Sequence, residues 1–301
     1  MKRLAIHLCF LLCLLLALPC TAWGEELVFQ GKKATFTADS ASTHLDLGEV
    51  VVGDYDLFCD FLSGFPNLES VDMFSTKIKA DSMALLKERF PQVHFGWTMV
   101  IGGDHLVRTD QTAFSTLHNN KSKGHTEEDF SVLKYCDHLY ALDIGHNHVS
   151  DLSFLYDLPE LKVLIVACNS IRDITPLASL EGLEYLELFK NRISDLTPLT
   201  GLTNLLDLNI CFNSITDWSP LLGMTWLERL WVYNSNFYGG KPPIPTDVVQ
   251  SLKEALPGTH IDSTHYSTLG GWREHDRYFV IKEMFKTGVY IPFSTEDSNE
   301  D

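Results

Sequence analysis

The sequence predicts an α/β solenoid in which short strands stack into a parallel sheet, and three regularities carry this prediction. A 22-residue unit with the pattern Leu-x-x-Leu-x-Leu-x-x-Asn recurs about five times between Leu139 and Ser235. An asparagine closes the pattern in four of the units. A second motif follows each asparagine at the same period. Because one unit cannot bury its apolar face alone, the units must stack on one another.

The first regularity gives the strands and the inward-facing side chains. Alternation places the apolar positions on one side of a strand and the x positions on the other. The asparagine turns into the solenoid, where its amide must bond to backbone groups of neighbouring coils. The aligned positions are Leu139/Leu142/Ile144/Asn147, Leu161/Leu164/Val166/Asn169, Leu183/Leu186/Leu188/Asn191, Leu205/Leu208/Ile210/Asn213 and Leu227/Leu230/Val232/Ser235. We therefore expect a structural asparagine ladder of Asn147, Asn169, Asn191 and Asn213, which ends at Ser235.

The second motif describes the return leg of each coil. It reads Val149-x-Asp151, Ile171-x-Asp173, Ile193-x-Asp195 and Ile215-x-Asp217. In the later units a Pro-Leu pair begins three residues after the aspartate, as Pro176-Leu177, Pro198-Leu199 and Pro220-Leu221. The first unit has Phe154 in place of proline. Proline fixes φ and removes a donor, so this leg favours a 3₁₀ turn over a full helix.

These motifs resemble the leucine-rich-repeat family, and the return leg resembles the bacterial 22-residue class of internalin-type surface proteins. The resemblance implies a horseshoe with a parallel β-sheet on its concave face, a helical or 3₁₀ convex side and a C-terminal cap. It also implies a non-catalytic protein of adhesin or inhibitor type whose first expected partner is another protein. No sorting motif or wall-binding module is visible in the sequence, which departs from wall-anchored internalins.

The N-terminus predicts export. Lys2 and Arg3 precede an apolar run from Leu4 to Leu18, and small residues allow cleavage after Ala22 or Gly24. An uncleaved anchor and a lipidated cysteine at Cys20 are the alternatives, although the run is short for a membrane span. We expect a secreted or cell-surface protein with no membrane span after cleavage.

Five segments follow from these patterns. Residues 1–24 are the signal peptide, and 25–138 hold irregular repeats with a β-hairpin insertion near 97–109 around Gly102-Gly103. Residues 139–238 hold the regular repeats, 239–293 the C-terminal cap, and 294–301 an acidic tail that we expect to be disordered.

The net charge limits the classes of partner, and the cysteine content limits the possible disulfide bonds. The net charge of −17 argues against a nucleic-acid partner and against docking on anionic membrane. Signal cleavage leaves Cys59, Cys136, Cys168 and Cys211. An even count in an exported chain permits disulfides, but the repeat register separates Cys168 from Cys211 by two coils. We favour buried free thiols and a monomer.

The register also predicts which side chains the concave sheet displays, namely those at the third, fifth and seventh positions. Aromatic residues with an arginine and carboxylates gather in the C-terminal coils, a composition typical of interface hot spots. The predicted binding residues are Tyr185, Glu187, Phe189, Asp207, Arg229, Trp231 and Tyr233. Aromatic plates beside carboxylates would also suit a glycan, which is the alternative ligand. A further alternative is that the C-terminal section folds back and buries Trp231 and Tyr233.

Acidic residues recur at the fifth, displayed position, as Asp46, Asp72, Asp143 and Glu187. Such a stripe favours a cationic or hydroxyl-rich ligand, although on an acidic protein it is equally explained as a solvated face.

Catalytic motifs are absent from the sequence: it has no phosphate loop, no nucleophile elbow and no Cys-x-x-Cys pair. His146-x-His148 beside Asp143 could be drawn as a metal site, but spacing implies no third ligand. Glu274-His275-Asp276 is expected on a solvated helix face. A hydrolase using the histidine pair or an acidic pair is the third alternative, and we expect no cofactor and no resident metal.

Overall fold

The computed structural model describes residues 24–117, 124–235, 242–266 and 268–293. The described residues divide into two compact units, one within residues 1–76 and 81–96 and the other within residues 77–80 and 97–301. The predicted signal peptide up to residue 23 and the predicted tail 294–301 fall outside the described residues.

The first unit alternates strands with helices and begins with an antiparallel hairpin, β1 (Glu26–Gln30) and β2 (Thr35–Asp39). Strand β3 (His44–Asp46) then pairs in parallel with β4 (Ser70–Lys77), which is followed by β5 (His94–Ile101). Helices α1 (Tyr55–Leu62) and α2 (Ala80–Arg89) connect these strands. The irregular repeats expected in this region stay a prediction, and no sequence pattern indicated the opening hairpin.

Helix α1 begins where Asp54 caps it, because the Asp54 carboxylate accepts the backbone N–H groups of Asp56 and Leu57. Its apolar side buries Phe58, and the ring of Phe29 from β1 lies 4.9 Å from that of Phe58. The opening hairpin is therefore held by aromatic packing onto this helix.

The second unit contains a seven-stranded parallel sheet whose spatial order follows the chain. It is preceded by a hairpin in which the end of β5 pairs antiparallel with β6 (His105–Arg108). The seven strands are β7 (Ala113–Ser115), β8 (Ala141–Asp143), β9 (Val163–Ile165), β10 (Tyr185–Glu187), β11 (Asp207–Asn209), β12 (Arg229–Trp231) and β13 (His260–Asp262). Each regular strand pairs with the next at a shift of one 22-residue unit, so that Leu186 stands opposite both Leu164 and Leu208. The predicted leucine-rich-repeat solenoid is confirmed.

The ladder asparagines bridge successive coils as the sequence predicts. Asn191 is buried, and its amide nitrogen donates to the carbonyl oxygens of Leu188 in its own coil and Val166 in the preceding one, at 3.0 Å each. Its amide oxygen accepts the N–H of Ile171 at 3.1 Å. Asn213 repeats this arrangement one coil later with Ile193 and Leu188.

The residue before each ladder asparagine adopts a left-handed backbone. The φ angles of His146, Cys168, Lys190 and Phe212 lie between 55° and 59°. This conformation is unfavourable for a residue with a side chain. It is held by a hydrogen bond to the next coil, as in Lys190, whose N–H donates to the carbonyl of Cys211 at 2.9 Å.

The return legs are short 3₁₀ helices, as proline in the motif indicates. They span Ser153–Asp157, Thr175–Ser179, Thr197–Leu199 and Ser219–Gly223. The motif aspartate precedes each of them and caps it, since Asp173 accepts the N–H of Thr175 at 2.8 Å and Asp195 that of Thr197 at 2.8 Å. Each return leg thus begins just after its capping aspartate, and the chain returns to the sheet after three to five 3₁₀ residues.

In the described part of this unit the α-helices are α3 (Glu127–Phe130), α4 (Thr246–Ala255) and α5 (Asp276–Thr287). Helix α4 leads into β13, which adds a last strand to the sheet. Cys59, Cys136, Cys168 and Cys211 are free thiols; Cys59, Cys136 and Cys211 are buried as expected, whereas Cys168 is half-buried.

The asparagine ladder predicts a position-specific loss of stability. Replacement of Asn191 by alanine leaves one buried N–H and two carbonyl groups without this partner, so we expect a loss of about 2–4 kcal/mol. Asn204→Ala is the matched control, because Asn204 is exposed and donates one bond to the carbonyl of Glu181; its loss should be about 0.5 kcal/mol or less. Urea unfolding followed by circular dichroism measures both. Equal shifts in the two variants would contradict the ladder as the source of stability.

Candidate binding face

The structure places the predicted display residues on one face of the sheet, opposite the leucines. Parallel pairing aligns Tyr185, Asp207 and Arg229 in one row and Glu187, Asn209 and Trp231 in the next. The predicted register of the concave face is therefore observed.

That face is covered by the chain's own C-terminal segment, residues 268–293, which contains α5. Tyr185, Glu187, Asp207 and Trp231 are at most 1% exposed and Arg229 is 6% exposed, whereas Phe189 and Tyr233 are half-buried. The prediction that these side chains face solvent is therefore wrong for the five buried ones, Tyr185, Glu187, Asp207, Arg229 and Trp231. For Trp231 the alternative in which the C-terminal section folds back is the arrangement observed. The physical reason is that the aromatic rings find apolar partners within the same chain.

Trp272 is the apolar anchor of the covering segment. Its ring lies 5.2 Å from that of Tyr185 and 5.1 Å from that of Trp231, measured between centroids. Its indole nitrogen donates to Oε2 of Glu187 at 3.1 Å, and the indole nitrogen of Trp231 donates in turn to the carbonyl of Leu269 at 2.9 Å. The segment thus satisfies the polar edges of both indoles while it buries their faces.

Asp207 is the electrostatic anchor. Arg229 of the neighbouring strand donates to both carboxylate oxygens, at 2.9 and 2.7 Å. Arg277 of α5 donates to the same two oxygens, at 2.9 and 2.8 Å, and its guanidinium also reaches Glu228 at 2.6 Å. The Arg229 guanidinium stacks 4.8 Å above the Trp272 ring. One buried carboxylate therefore joins the sheet to the helix through charge-assisted bonds.

The far end of the segment docks at the opening strand of the sheet. Gly288 ends α5 in a left-handed conformation (φ 75°), which favours glycine. Its carbonyl accepts the N–H groups of Thr112 and Ala113 at 3.2 and 3.1 Å, and the N–H of Tyr290 donates to the Thr112 hydroxyl at 2.7 Å. The segment is thus held to the concave face at both ends.

Between these two ends lies a cleft of about 260 Å³. Strands β7 to β10 form its floor and α5 its wall; the lining is Ser115, Leu117, Asp143, Gly145, His146, Ile165, Ala167, Glu187, Arg273, Tyr278, Ile281, Lys282 and Phe285. It is the part of the concave face that the C-terminal segment leaves partly open.

Two carboxyl groups at the floor of this cleft are desolvated. Burial raises the pKa of Asp143 to about 6, against the lowering effect of bonds from the Gly145 N–H and the Ser115 hydroxyl, each 3.0 Å away. Burial also raises the pKa of Glu187, against the lowering effect of Arg273, whose guanidinium lies 3.7 Å from Oε1. The cleft therefore holds acids that are poorly neutralised by the chain itself.

The histidine pair considered for metal binding does not gather a ligand set. His146 and His148 are exposed turn residues on either side of Asn147. Within the described ranges, the group whose ligand atoms lie close enough to share an ion consists of Asp104, His105 and His125 instead. The sequence offered no spacing rule for that group, since it joins the hairpin tip to a loop 20 residues later.

Glu274 and Asp276 are exposed, as expected for this segment, but of the three residues only Asp276 lies within α5, and His275 is half-buried. His275 precedes α5 and caps it by accepting the N–H of Arg277 at 3.3 Å. Burial and the nearby Arg229 and Arg277 lower the pKa of His275. A neutral imidazole is what this capping bond requires.

Sequence reasoning did not identify Trp272, Arg273 and Arg277 as partners of the concave face. The sequence gives one indication of a packing role for these residues: a tryptophan and two arginines follow Gly270-Gly271 in an acidic chain. No repeat register reaches them, so only the fold shows where they pack.

The stacked parallel strands, the asparagine ladder and the capped 3₁₀ legs define the chain as a leucine-rich-repeat solenoid. No family model and no curated protein matches the sequence. Within the described ranges, no helix combines the length and the apolar character needed to cross a membrane.

Among solved structures the chain is similar to two internalins of Listeria monocytogenes. With InlF it shares 20% identity over 72% of this chain and 52% of the other, at a TM-score of 0.39, so it spans about half the length of that protein. With internalin C2 it shares 20% identity over 76% of this chain and 85% of the other, at a TM-score of 0.38. A leucine-rich-repeat protein of Leptospira interrogans is 14% identical over 67% of this chain and 74% of the other, with a TM-score of 0.34.

The Asp207 contacts predict that Arg277 fastens α5 to the sheet. Arg277→Ala removes one of the two guanidinium partners of a buried carboxylate, so we expect a loss of about 2 kcal/mol and faster hydrogen exchange in residues 268–290. Lys286→Ala on the same helix is the control, because Lys286 makes an exposed pair with Glu283. It should change the stability by less than about 1 kcal/mol. Unchanged exchange in the Arg277 variant would contradict the proposed fastening.

The desolvated Asp143 predicts a pH-dependent stability. Its folded pKa of about 6 lies above its unfolded value of 3.8, so between these two values only the unfolded state ionises and stability falls as pH rises. Relative to Asp143→Asn, the native protein should lose roughly 3 kcal/mol between about pH 4 and about pH 7. Urea unfolding of both proteins across this range isolates the carboxyl, because their other titratable groups are the same.

Asp173→Asn is the control of opposite sign. Its bonds with Thr175 lower the pKa of Asp173, so its contribution exists above the unfolded pKa and is lost as pH falls through the folded one. This variant should be less stable than the native protein at neutral pH and indistinguishable from it in acid. A flat difference for Asp143→Asn would show that the cleft carboxyl is solvated.

Proposed function

We propose that the protein is an exported, non-catalytic binding protein that takes a protein ligand at the concave cleft of its solenoid. The main support for this proposal is a cleft of about 260 Å³ on the stacked sheet, with two desolvated carboxyl groups at its floor. A pre-organised surface of this kind loses little ordering entropy when a ligand docks. Export is inferred from the basic and apolar N-terminus. Mass spectrometry of the exported protein tests it, because its first residue should follow Ala22 or Gly24.

The chemistry of the cleft favours a basic side chain of the ligand. An ammonium or guanidinium group that reaches Asp143 would offset the burial that raises the pKa of this carboxyl. The net charge of −17 adds a long-range attraction for a cationic partner. The C-terminal segment itself already places Arg273 beside Glu187.

A glycan ligand, the alternative from the sequence, has less support. The aromatic rings on which a sugar would stack are those of Tyr185 and Trp231, and both are buried beneath Trp272. The residues first predicted for binding contribute Glu187 to the cleft, while Asp207, Arg229 and Trp231 serve the intramolecular contact.

A binding experiment with defined probes separates these ligands. The native chain is passed over an array of lysine- and arginine-containing peptides, matched peptides with neutral side chains, and a glycan array. We expect binding to basic peptides at pH 7.5 that weakens about tenfold or more at pH 5, because Asp143 becomes protonated. Asp143→Asn should abolish the pH effect and weaken binding at pH 7.5, whereas Asp173→Asn on the convex side should leave both unchanged.

Two outcomes would overturn the proposal. Peptide binding that is identical in the native protein and in Asp143→Asn would place the ligand elsewhere. Glycan binding without any peptide binding would establish the carbohydrate alternative instead.

A further inference from the structure

Two histidines and an aspartate converge at the tip of the hairpin that precedes the seven-stranded sheet. Asp104 and His105 lie at the turn from β5 to β6, where Gly102 and Gly103 adopt positive φ angles of 56° and 88°. His105 is the first residue of β6 and pairs with Ile101. The turn therefore fixes the backbone on which two of the three side chains stand.

The third side chain is fixed by the solenoid itself. The N–H groups of Gly124 and His125 both donate to the amide oxygen of Asn147, the first ladder asparagine, at 3.0 Å. The carbonyl of His125 accepts the N–H of His148 at 2.8 Å. His125 thus occupies a position determined by the coil stacked on it.

The three side chains have the geometry of a metal ligand set. Nε2 of His105 lies 3.5 Å and Nε2 of His125 lies 3.9 Å from Oδ1 of Asp104. One ligand atom from each residue lies within 4.8 Å of the others. Ligands about 2.0–2.1 Å from a tetrahedral zinc ion are separated by about 3.3 Å, so the widest separation that this limit allows closes with about 0.8 Å of movement at each of two side chains.

The surroundings match those of a bound imidazole pair. His105 and His125 are buried, their rings meet edge to face at 5.0 Å, and Phe114 and Phe130 stand at 6.4 and 6.1 Å from the nearer imidazole ring. Oδ2 of Asp129 lies 3.6 Å from Nδ1 of His125 and also accepts the N–H of Thr126. A carboxylate behind the non-ligating nitrogen orients a metal-bound histidine and raises its basicity.

We propose that Asp104, His105 and His125 bind one divalent transition-metal ion, with zinc as the best match. Two imidazole nitrogens and one carboxylate oxygen suit zinc, cobalt or nickel, whereas magnesium and calcium require oxygen ligands. The three ligands leave a fourth position for water or for a group from a bound ligand. The ion joins the hairpin to the loop at His125, whose backbone N–H is bonded to Asn147 of the first regular coil. It stabilises the fold because the unfolded chain does not hold the set together.

The test uses the full chain without an affinity tag, stripped with a chelator and titrated with zinc sulfate by calorimetry. We expect one zinc ion per chain, confirmed by elemental analysis, together with a rise in the thermal unfolding midpoint. Cobalt in place of zinc should give the visible absorption bands of a four-coordinate site.

Variants locate the ion. His105→Gln and His125→Gln should each weaken zinc binding about 100-fold or more, and Asp129→Asn about tenfold. Substitution of the buried His105 can disturb the fold as well as the metal site. Asp104 is half-exposed, so Asp104→Asn gives a second measurement of zinc affinity, and circular dichroism checks that this variant folds. The double variant His146→Gln/His148→Gln is the control and should bind zinc as the native chain does.

The proposal is overturned if the native chain takes up no zinc at micromolar concentration. It is equally overturned if the affinity is unchanged in His125→Gln, or if it is lost in the His146/His148 control.

Discussion

The solenoid depends on how each coil satisfies its backbone in the turn after the strand. There the chain reverses through a left-handed residue, and the following asparagine occupies the space where peptide groups of two coils would otherwise lack partners. Asn191 alone bonds to three backbone groups from two coils. Because buried peptide groups without partners are costly, the ladder sets the distance and the shift between coils. A constant shift of one unit is what aligns Tyr185 with Val163 and Asp207.

Because the register is fixed, equivalent positions of successive coils form rows on the concave face. The C-terminal segment packs against those rows. Trp272 fits over Tyr185 and Trp231, and Arg277 meets Asp207 beside Arg229. Burying a carboxylate with two guanidinium groups costs desolvation energy that the attraction offsets only when the geometry is good. The four bonds of 2.7–2.9 Å supply that geometry and so define one position for the helix.

The sequence predicts those parts of the structure that repeat. Leucines such as Leu186 and Leu208, the ladder asparagines and the capping aspartates follow from period and residue type alone, and each lies where the pattern puts it. The left-handed residues could not be predicted, because His146, Cys168, Lys190 and Phe212 share no side-chain chemistry and are held by backbone hydrogen bonds to the next coil. The covering of the concave face could not be predicted either. It joins Glu187 to Trp272 across 85 positions, by contacts that belong to no repeat.

The covering segment also shows which chemical groups this concave face accepts. Where the sheet presents Asp207 and Glu187, the segment supplies guanidinium and indole donors: Arg277 pairs with Asp207, the Trp272 indole bonds to Glu187, and Arg273 lies 3.7 Å from Glu187. Asp143 presents the same kind of group two coils before Glu187, yet its hydrogen bonds come from a serine hydroxyl and a backbone N–H. Burial therefore raises the pKa of Asp143 to about 6. Since a cation is the group that the face binds elsewhere, the cleft beside Asp143 is the position where a cation from another molecule gains most.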